Sequence, residues 1–178
     1  MTLPASIASR LKLPLIAAPM LRVSGPELVS AACRNGVIGA LPTLNARSSE
    51  ELDDWLTRIA ADCAAAQAPT APVCANVIMR RRPEALDGDL AVLVKHKVEM
   101  VIASVGSPAP VIERLHDVGC LVFADVASVR NTEKALAAGA DGLVLLSAGA
   151  GGHTGWANGM AFARAVRAIY DGPLVLAG

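Results

Sequence analysis

The chain has 178 residues, 53% of them hydrophobic, and its sixteen basic and sixteen acidic side chains leave no formal net charge. This length fits one domain with a substantial core, spanning residues 1–178. A balanced charge without a basic cluster argues against a nucleic-acid partner. The uncharged run from Cys63 to Met79 is interrupted by prolines and falls short of the about 20 apolar residues of a membrane span, so we expect no membrane association.

Cysteine usage indicates a reducing compartment. The four cysteines, Cys33, Cys63, Cys74 and Cys120, lie far apart and form no Cys-x-x-Cys pair. Each falls within an apolar segment, so we expect reduced core thiols in a cytoplasmic protein, without a zinc site. The N-terminal apolar run "LPLIAAPM" is short and contains two prolines, which argues against a secretory signal.

One pattern repeats along the chain: a short β-branched run, a turn, and a segment of helical period that ends near a glycine. It predicts strands, in chain order, at "LPLIAAPM", "VIGALPT", "VCANVIM", "EMVIASV", "CLVFADV", "DGLVLLS" and "PLVLAG". Helices are predicted between them, over residues 26–35, 48–66, 83–97, 108–119, 128–139 and 159–172. Gly88 weakens the prediction in the middle of the third helix.

Strands that alternate with helices indicate right-handed βαβ units and a parallel sheet. Two architectures have this pattern, a doubly wound open sheet and a (βα)8 barrel. The first turn, "APMLRVSG", lacks the glycine-rich fingerprint of a doubly wound dinucleotide fold. Six βα units and a seventh strand therefore favour a (βα)8 TIM barrel truncated after strand 7, with an open-sheet domain as the alternative.

Such a barrel would leave two sheet edges and apolar faces uncovered. We therefore expect the chain to be the N-terminal part of something longer, or to be completed by another chain. The missing part of the barrel would be supplied either by a second copy of the chain, in a homo-oligomer, or by a complementing C-terminal segment.

The segment "AGAGGHTG", Ala148–Gly155, follows the sixth predicted strand, at the end where barrels bind ligands. It is not a P-loop, since no Gly-Lys-Ser/Thr follows, and Thr154 breaks the G-x-G-x-x-G spacing. Ser147 does not sit in the G-x-S-x-G elbow of a hydrolase. The remaining interpretation is a loop whose backbone lies close to a flat or phosphorylated ligand, with His153 as a candidate general base.

Other polar residues have a functional and a structural interpretation. Asn76 in an apolar strand needs hydrogen-bond partners, and a ligand would supply them. Asp125 is either a site residue or the cap of the following helix. The run "RRRP" that begins at Arg80 either attracts an anionic substrate group or is a solvated loop. We expect His96 and His116 to be solvated helix residues, and the predicted strand ends carry no carboxylate cluster for a metal.

Several segments occur in the same order as in one flavoprotein family: "LPLIAAPM", "NVIM", "VIASVGSP", "VFADVASV" and "LLSAGAGGHTG". The chain resembles the nitronate monooxygenase (2-nitropropane dioxygenase-like) family of FMN-dependent TIM barrels, which also includes FMN-dependent enoyl-ACP reductases. The resemblance covers essentially the whole chain. Its most specific part is Gly-Gly-His-x-Gly at Gly151–Gly155, combined with the early Ala-Pro-Met.

The resemblance implies FMN as the cofactor and gives roles to individual residues. The Ala-Pro-Met backbone would lie against the flavin ring, Asn76 would hydrogen-bond it, and the glycine loop would flank it. Gly178 would lie in the first of two loops that grip the FMN phosphate. The implied cofactor-binding residues are Ala18, Pro19, Met20, Asn76, Asp125, Ala150, Gly151, Gly152 and Gly178.

The same resemblance implies an oxidoreductase that acts on a nitroalkane or nitronate with molecular oxygen. His153 would remove the α-proton of a nitroalkane, and the products would be a carbonyl compound and nitrite. Two alternatives stay open. One is an enoyl reductase or other NAD(P)H:flavin oxidoreductase on the same barrel, and the other is a cofactor-free barrel fragment that needs a partner segment.

Three features depart from the family pattern. Asp125 stands where some members carry a lysine near the flavin, and a charged carboxylate there would disfavour reduced flavin. Ser-Ala-Gly-Ala precedes the Gly-Gly-His, where many members have acidic residues or glutamine. The chain ends at Gly178, within the first phosphate-binding loop, so we expect it to hold FMN weakly or not at all.

Overall fold

Seven parallel strands form one sheet, in chain order, in the computed structural model, which describes residues 3–178. The strands are β1 (Ile16–Ala17), β2 (Ile38–Pro42), β3 (Val73–Ile78), β4 (Met100–Ser104), β5 (Leu121–Val126), β6 (Gly142–Leu146) and β7 (Leu174–Ala177). A doubly wound sheet reverses its strand order, whereas this one never does. The fold is therefore that of a (βα)8 barrel through its seventh strand, as predicted.

One short helix precedes β1, and a helix lies in each connection between consecutive strands. They are α1 (Ala5–Ala8), α2 (Pro26–Arg34), α3 (Ser49–Ala64), α4 (Pro83–Lys95), α5 (Ala109–His116), α6 (Val129–Ala137) and α7 (Gly159–Arg167). Ser48, Ser128 and Asn158 cap α3, α6 and α7, because each side chain accepts a hydrogen bond from a backbone amide of the first turn. Ser128 thus takes the capping role before α6 that Asp125 was a candidate for.

The two faces of the sheet bury different side chains. The inward face forms one cluster that includes Ile38, Ala40, Cys74, Met100, Ile102, Phe123 and Val144. The outward face packs against the helices, with Leu41, Val77, Val101, Val122, Leu143 and Leu145 among its buried residues. Burial on both faces explains why the strands read as nearly continuous apolar runs.

Several element boundaries differ from the sequence prediction. The first strand is two residues long, because Ala18–Met20 leave the sheet as a loop. The predicted helices end earlier than expected, most clearly α7, which stops at Arg167. Helix α4 continues through Gly88, where a Cβ would lie 2.6 Å from the Ser49 side-chain oxygen, so close packing against α3 favours glycine there. The short helix α1 was not predicted.

Four further findings concern the described part of the chain. All four cysteines are free thiols, and three of them are buried, as expected. None of the helices has the length and apolar character that crossing a bilayer requires. No group of three or more metal-ligating side chains occurs among residues 3–178. Strands β1 and β7 each pair with one neighbour only.

Candidate active site

Three polar side chains from neighbouring strands form an arc at the carboxyl edge of the sheet. Asn76 on β3 and Ser104 on β4 are 7% and 4% exposed, and Asp125 on β5 is half-buried. Asn76 Nδ2 donates to Ser104 Oγ at 2.6 Å and to the Ile102 carbonyl oxygen at 3.2 Å. Ile102 and Phe123 precede the arc on the same inward face. These three polar side chains thus form a layer above the apolar interior, at the carboxyl edge of the sheet.

The Asp125 carboxyl is harder to ionise than an exposed one. Burial raises its pKa above the usual value of 3.8. Three weaker effects oppose burial: the Ser104 hydroxyl, the Val105 amide, which donates to Oδ1 at 3.4 Å, and the attraction of His153. A buried carboxyl beside an imidazole is an arrangement typical of sites that transfer protons.

The glycine loop (residues 148–154) is anchored at its base. The Ser147 carbonyl oxygen accepts hydrogen bonds from the Ala150 amide at 3.1 Å and from the Thr154 hydroxyl at 2.8 Å. Gly178, after β7, lies against the same base, since a Cβ there would be 2.4 Å from Ser147 Oγ and 2.8 Å from the Ala150 nitrogen. The structure thus brings two predicted cofactor residues, Ala150 and Gly178, into contact.

The middle of the glycine loop is open, and its return to the barrel is tight. A Cβ added at Gly149, Gly151 or Gly152 would meet nothing within 4 Å. At Gly155, by contrast, a Cβ would lie 2.1 Å from the Leu146 carbonyl oxygen, so only glycine lets the chain return over β6. The loop therefore presents bare backbone to a ligand while its ends are fixed.

His153 lies at the end of the glycine loop and lines a cleft of about 540 Å³ at the carboxyl ends of β4, β5 and β6. The residue is exposed, so a substrate can reach it. Asp125 lines the same cleft, which places an acid and an imidazole around one cavity. The other lining residues are Arg80, Val105, Gly106, Ser107, Pro108, Ala124, Val126, Ala127, Asn131, Lys134, Ala135, Leu146 and Thr154.

The loop after β1 is held by two side chains. Asn45 Nδ2 donates to the carbonyl oxygens of Met20 at 3.0 Å and Ser24 at 2.8 Å, and its Oδ1 accepts from the Arg22 amide at 2.8 Å. Ser24 Oγ accepts from the Met20 amide at 3.0 Å and donates to the Ala18 carbonyl at 3.2 Å. Both polar backbone groups of Met20 are thus bonded within the loop, and a ligand would meet its exposed side chain.

The predicted site residues all lie at the carboxyl edge of the sheet, in three places. Asn76 and Asp125 belong to the polar arc, and Gly178 contacts the glycine loop that carries His153. Ala18, Pro19 and Met20 belong to the loop after β1. That loop does not line the cleft beside His153.

Sequence reasoning missed Ser104 and Asn45. Ser104 occurs in an apolar strand, but its alternation with Met100 and Ile102 places it on the inward face, beside Asn76. Asn45 gave no sequence signal, because its partners are backbone groups more than twenty residues earlier in the chain.

The expectation of solvated helix histidines was wrong for His96 and is confirmed for His116, which is exposed at the end of α5. His96 Nε2 lies 2.6 Å from Asp53 Oδ1, and its side chain is only 16% exposed. His116 Nε2 lies 2.8 Å from Asp141 Oδ2. In both cases the carboxylate belongs to another element, so the pairing arises from tertiary packing that neighbouring residues in sequence do not reveal.

The arginine run 80–82 divides between two environments. Arg81 pairs with Asp89, which is 4% exposed, and donates to the Thr43 hydroxyl at 3.3 Å. Arg80 instead lines the cleft beside His153. Arg81 therefore fixes the loop through an ion pair that neither sequence interpretation anticipated, and the attraction of an anionic group by Arg80 stays a prediction.

Comparisons with known proteins agree with this fold. The model of the family described as "Nitronate monooxygenase" matches residues 43–178. Nitroalkane oxidase from Streptomyces ansochromogenes superimposes with a TM-score of 0.83 at 23% identity, over 97% of this chain and 60% of that chain. FabK from Thermotoga maritima gives a TM-score of 0.80 at 22% identity, over 96% and 53% of the two chains. No functionally curated protein sequence matches the chain.

The chain therefore spans little more than half the length of these two structural relatives. Because these relatives are only 22–23% identical to the chain, the similarity shows the fold and nothing about the activity. The family match is stronger, because it covers most of the chain, including the polar arc and the glycine loop. It shows that the chain belongs to the nitronate monooxygenase family.

Proposed function

We propose that the chain forms the substrate-facing part of an FMN-dependent oxidoreductase that oxidises nitroalkanes or nitronates with molecular oxygen to a carbonyl compound and nitrite. The observation that carries this proposal is the cleft that His153 and Asp125 share beside an open glycine loop. Membership of the nitronate monooxygenase family and the fold shared with a nitroalkane oxidase support the substrate class.

The residues present fit a flavin. The pyrimidine edge of a flavin carries carbonyl acceptors and an N–H donor, and Asn76, Ser104 and Asp125 offer complementary groups. The bare backbone of the glycine loop suits close approach to a flat ring. The residues that would hold FMN are Ala18, Pro19, Met20, Asn76, Asp125, Ala150, Gly151, Gly152 and Gly178.

When bound, FMN supplies the electron transfer between the substrate and oxygen, and the chain supplies the proton chemistry. His153 takes the α-proton of a nitroalkane, and the electron pair of the broken C–H bond forms the C=N bond of the nitronate. The exposure of His153 gives the substrate access to the imidazole. An ionised Asp125 in the same cleft stabilises the imidazolium that results.

The substitution His153→Ala in the flavin-loaded protein tests the base. It is expected to lower turnover of a neutral nitroalkane such as nitroethane by about 10²–10⁴, the usual scale for a positioned acid–base group. Turnover of preformed nitronate should fall much less, because the proton is already gone. His116→Ala is the matched control, since His116 ends α5 at the opposite edge of the sheet. Equal activity of His153→Ala and the parent on nitroethane would refute the assignment.

Cofactor binding is tested separately by titrating the chain with FMN and following the flavin absorbance and fluorescence. Saturable quenching is expected if the chain contributes the flavin-facing surface. A chain that binds no FMN even at excess would favour the alternative of a cofactor-free barrel fragment.

A further inference from the structure

The cleft beside His153 contains cations that proton abstraction does not use. Arg80 reaches it from the loop after β3, and Lys134 reaches it from α6. Within residues 3–178, neither side chain has a salt-bridge partner. With His153 they place three basic side chains around a cleft whose lining includes a single carboxyl, Asp125.

Two neighbouring cations are engaged in the fold. Arg81, next to Arg80, pairs with buried Asp89. Arg114 on α5 pairs with Asp87 at 2.7 Å. Arg80 and Lys134, by contrast, line the cleft and are available to a ligand there.

The other lining residues indicate what kind of ligand the cleft can hold. Ala124, Val126 and Ala135 are buried and form an apolar floor, while Ser107 and Thr154 add hydroxyl groups. A volume of about 540 Å³ lies within the range of small-molecule pockets, roughly 300–1,000 Å³. Such a cleft suits an anionic head group joined to an organic body.

The number of cations favours a phosphate over a carboxylate. A phosphate ester carries about −1.5 to −2 charges at neutral pH and three acceptor oxygens, whereas a carboxylate carries one charge. Arg80, Lys134 and His153 come from three different elements, so they can surround a group with several oxygens. Charge-assisted hydrogen bonds of this kind are the strong ones.

We propose that this cleft binds the phosphate of an organic phosphate, with Arg80 and Lys134 as its charged contacts and the alanine-lined floor beneath its organic part. The cleft lies at the ends of β4 to β6, whereas Gly178, the residue proposed for the FMN phosphate, follows β7. With the FMN phosphate at Gly178, as proposed above, the ligand of this cleft is a second phosphate-bearing molecule. That it is a reactant beside His153 rests on the proposed function, but its binding does not.

Titration calorimetry with inorganic pyrophosphate, with and without saturating FMN, tests the site. The double variant Arg80→Ala/Lys134→Ala is expected to raise the pyrophosphate Kd by about tenfold or more. The matched control is Arg82→Ala/Arg130→Ala, which removes the same charge from the same two segments outside the cleft. Equal weakening in both variants, no binding by the parent, or displacement of pyrophosphate by FMN would each overturn the proposal.

Two sources of an organic phosphate are then distinguished by paired ligands. Nicotinamide mononucleotide is compared with nicotinamide riboside, and phosphopantetheine with pantetheine. In one pair the phosphorylated member should bind more tightly, and the double variant should abolish that advantage. Phosphorylated and unphosphorylated members that bind equally in both pairs would refute the site. If His153→Ala leaves nitroethane turnover unchanged while the charge-dependent binding persists, the proposed function fails and the phosphate site stands.

Discussion

Asn45 donates a hydrogen bond from Nδ2 to the carbonyl oxygen of Met20 at 3.0 Å and so ties the loop after β1 to the end of β2. The same amide also binds the Ser24 carbonyl and the Arg22 nitrogen, so one side chain satisfies three backbone groups. A short β1 makes this contact important, because only Ile16 and Ala17 hold the preceding chain in the sheet.

Replacement of Asn45 should therefore loosen the loop. We expect Asn45→Ala to lower the free energy of unfolding by about 1–3 kcal/mol, because three hydrogen bonds from this side chain to the backbone are lost, while the Met20 carbonyl keeps those from the Val23 and Ser24 amides. Limited proteolysis should also cut the loop after β1 more readily. Asn35→Ala serves as the control, since the Asn35 side chain makes one exposed hydrogen bond, to the Ala31 carbonyl at the end of α2. Similar unfolding curves and cleavage for both variants would show that Asn45 does not fix the loop.

The repeating pattern of the sequence was sufficient to predict the barrel. Each strand is a short apolar run, and each following helix begins at a cap or proline, which are local signals. The first strand was overestimated because apolar residues continue through Met20, while Ser24 and Asn45 bend the backbone of that segment into a loop. A local sequence pattern does not show hydrogen bonds to residues that are distant in the chain.

The site residues that belong to one continuous segment could be predicted from the sequence. The glycines around His153 stand out in sequence, and so does an asparagine in an apolar strand. The polar arc was not predictable, because Ser104 meets Asn76 and Asp125 only after three strands align. Of the cationic cleft, only Arg80 stood out in the sequence, as part of the arginine run. Lys134 did not, because it lies on an exposed position of a helix far along the chain.

The buried ion pair of Arg81 and Asp89 should contribute more to the free energy of unfolding than an exposed ion pair does. We expect Arg81→Ala to lower the free energy of unfolding by about 2–5 kcal/mol, because it leaves the Asp89 charge buried without its partner. Arg58→Ala breaks the exposed pair with Glu27 and should lower the free energy of unfolding much less, because water screens this pair. Urea unfolding of both variants at neutral pH measures the difference. Two equal losses would mean that the Arg81 pair is no stronger than a surface one.

The glycine loop offers a matched test of packing. Gly155→Ala places a Cβ 2.1 Å from the Leu146 carbonyl oxygen, so the backbone must shift, at a cost of about 1–3 kcal/mol. Gly151→Ala meets open space and should change the free energy of unfolding by no more than about 0.5 kcal/mol. Thermal unfolding of the two variants gives the comparison. A Gly151→Ala loss as large as that of Gly155→Ala would indicate that the middle of the loop is packed.

The half-buried carboxyl of Asp125 predicts a pH-dependent difference in stability. Its pKa is raised in the folded chain above the ordinary value of 3.8, chiefly by burial. Below about pH 3.8 the group is protonated in both the folded and the unfolded chain, so it contributes nothing. As the pH rises, the unfolded chain loses the proton first, and the folded state becomes progressively less stable until the folded pKa is passed. The penalty is constant at higher pH.

Asp125→Asn removes this penalty while keeping an oxygen that can accept from the Val105 amide. The variant should therefore match the parent near pH 4 and become more stable than the parent as the pH rises to 7, in urea unfolding at each pH. Asp117→Asn, at an exposed carboxyl after α5, controls for the general effect of losing one negative charge. A stability difference for Asp125→Asn that stays flat across this range, or that favours the parent at pH 7, would show that ionisation of Asp125 does not oppose folding.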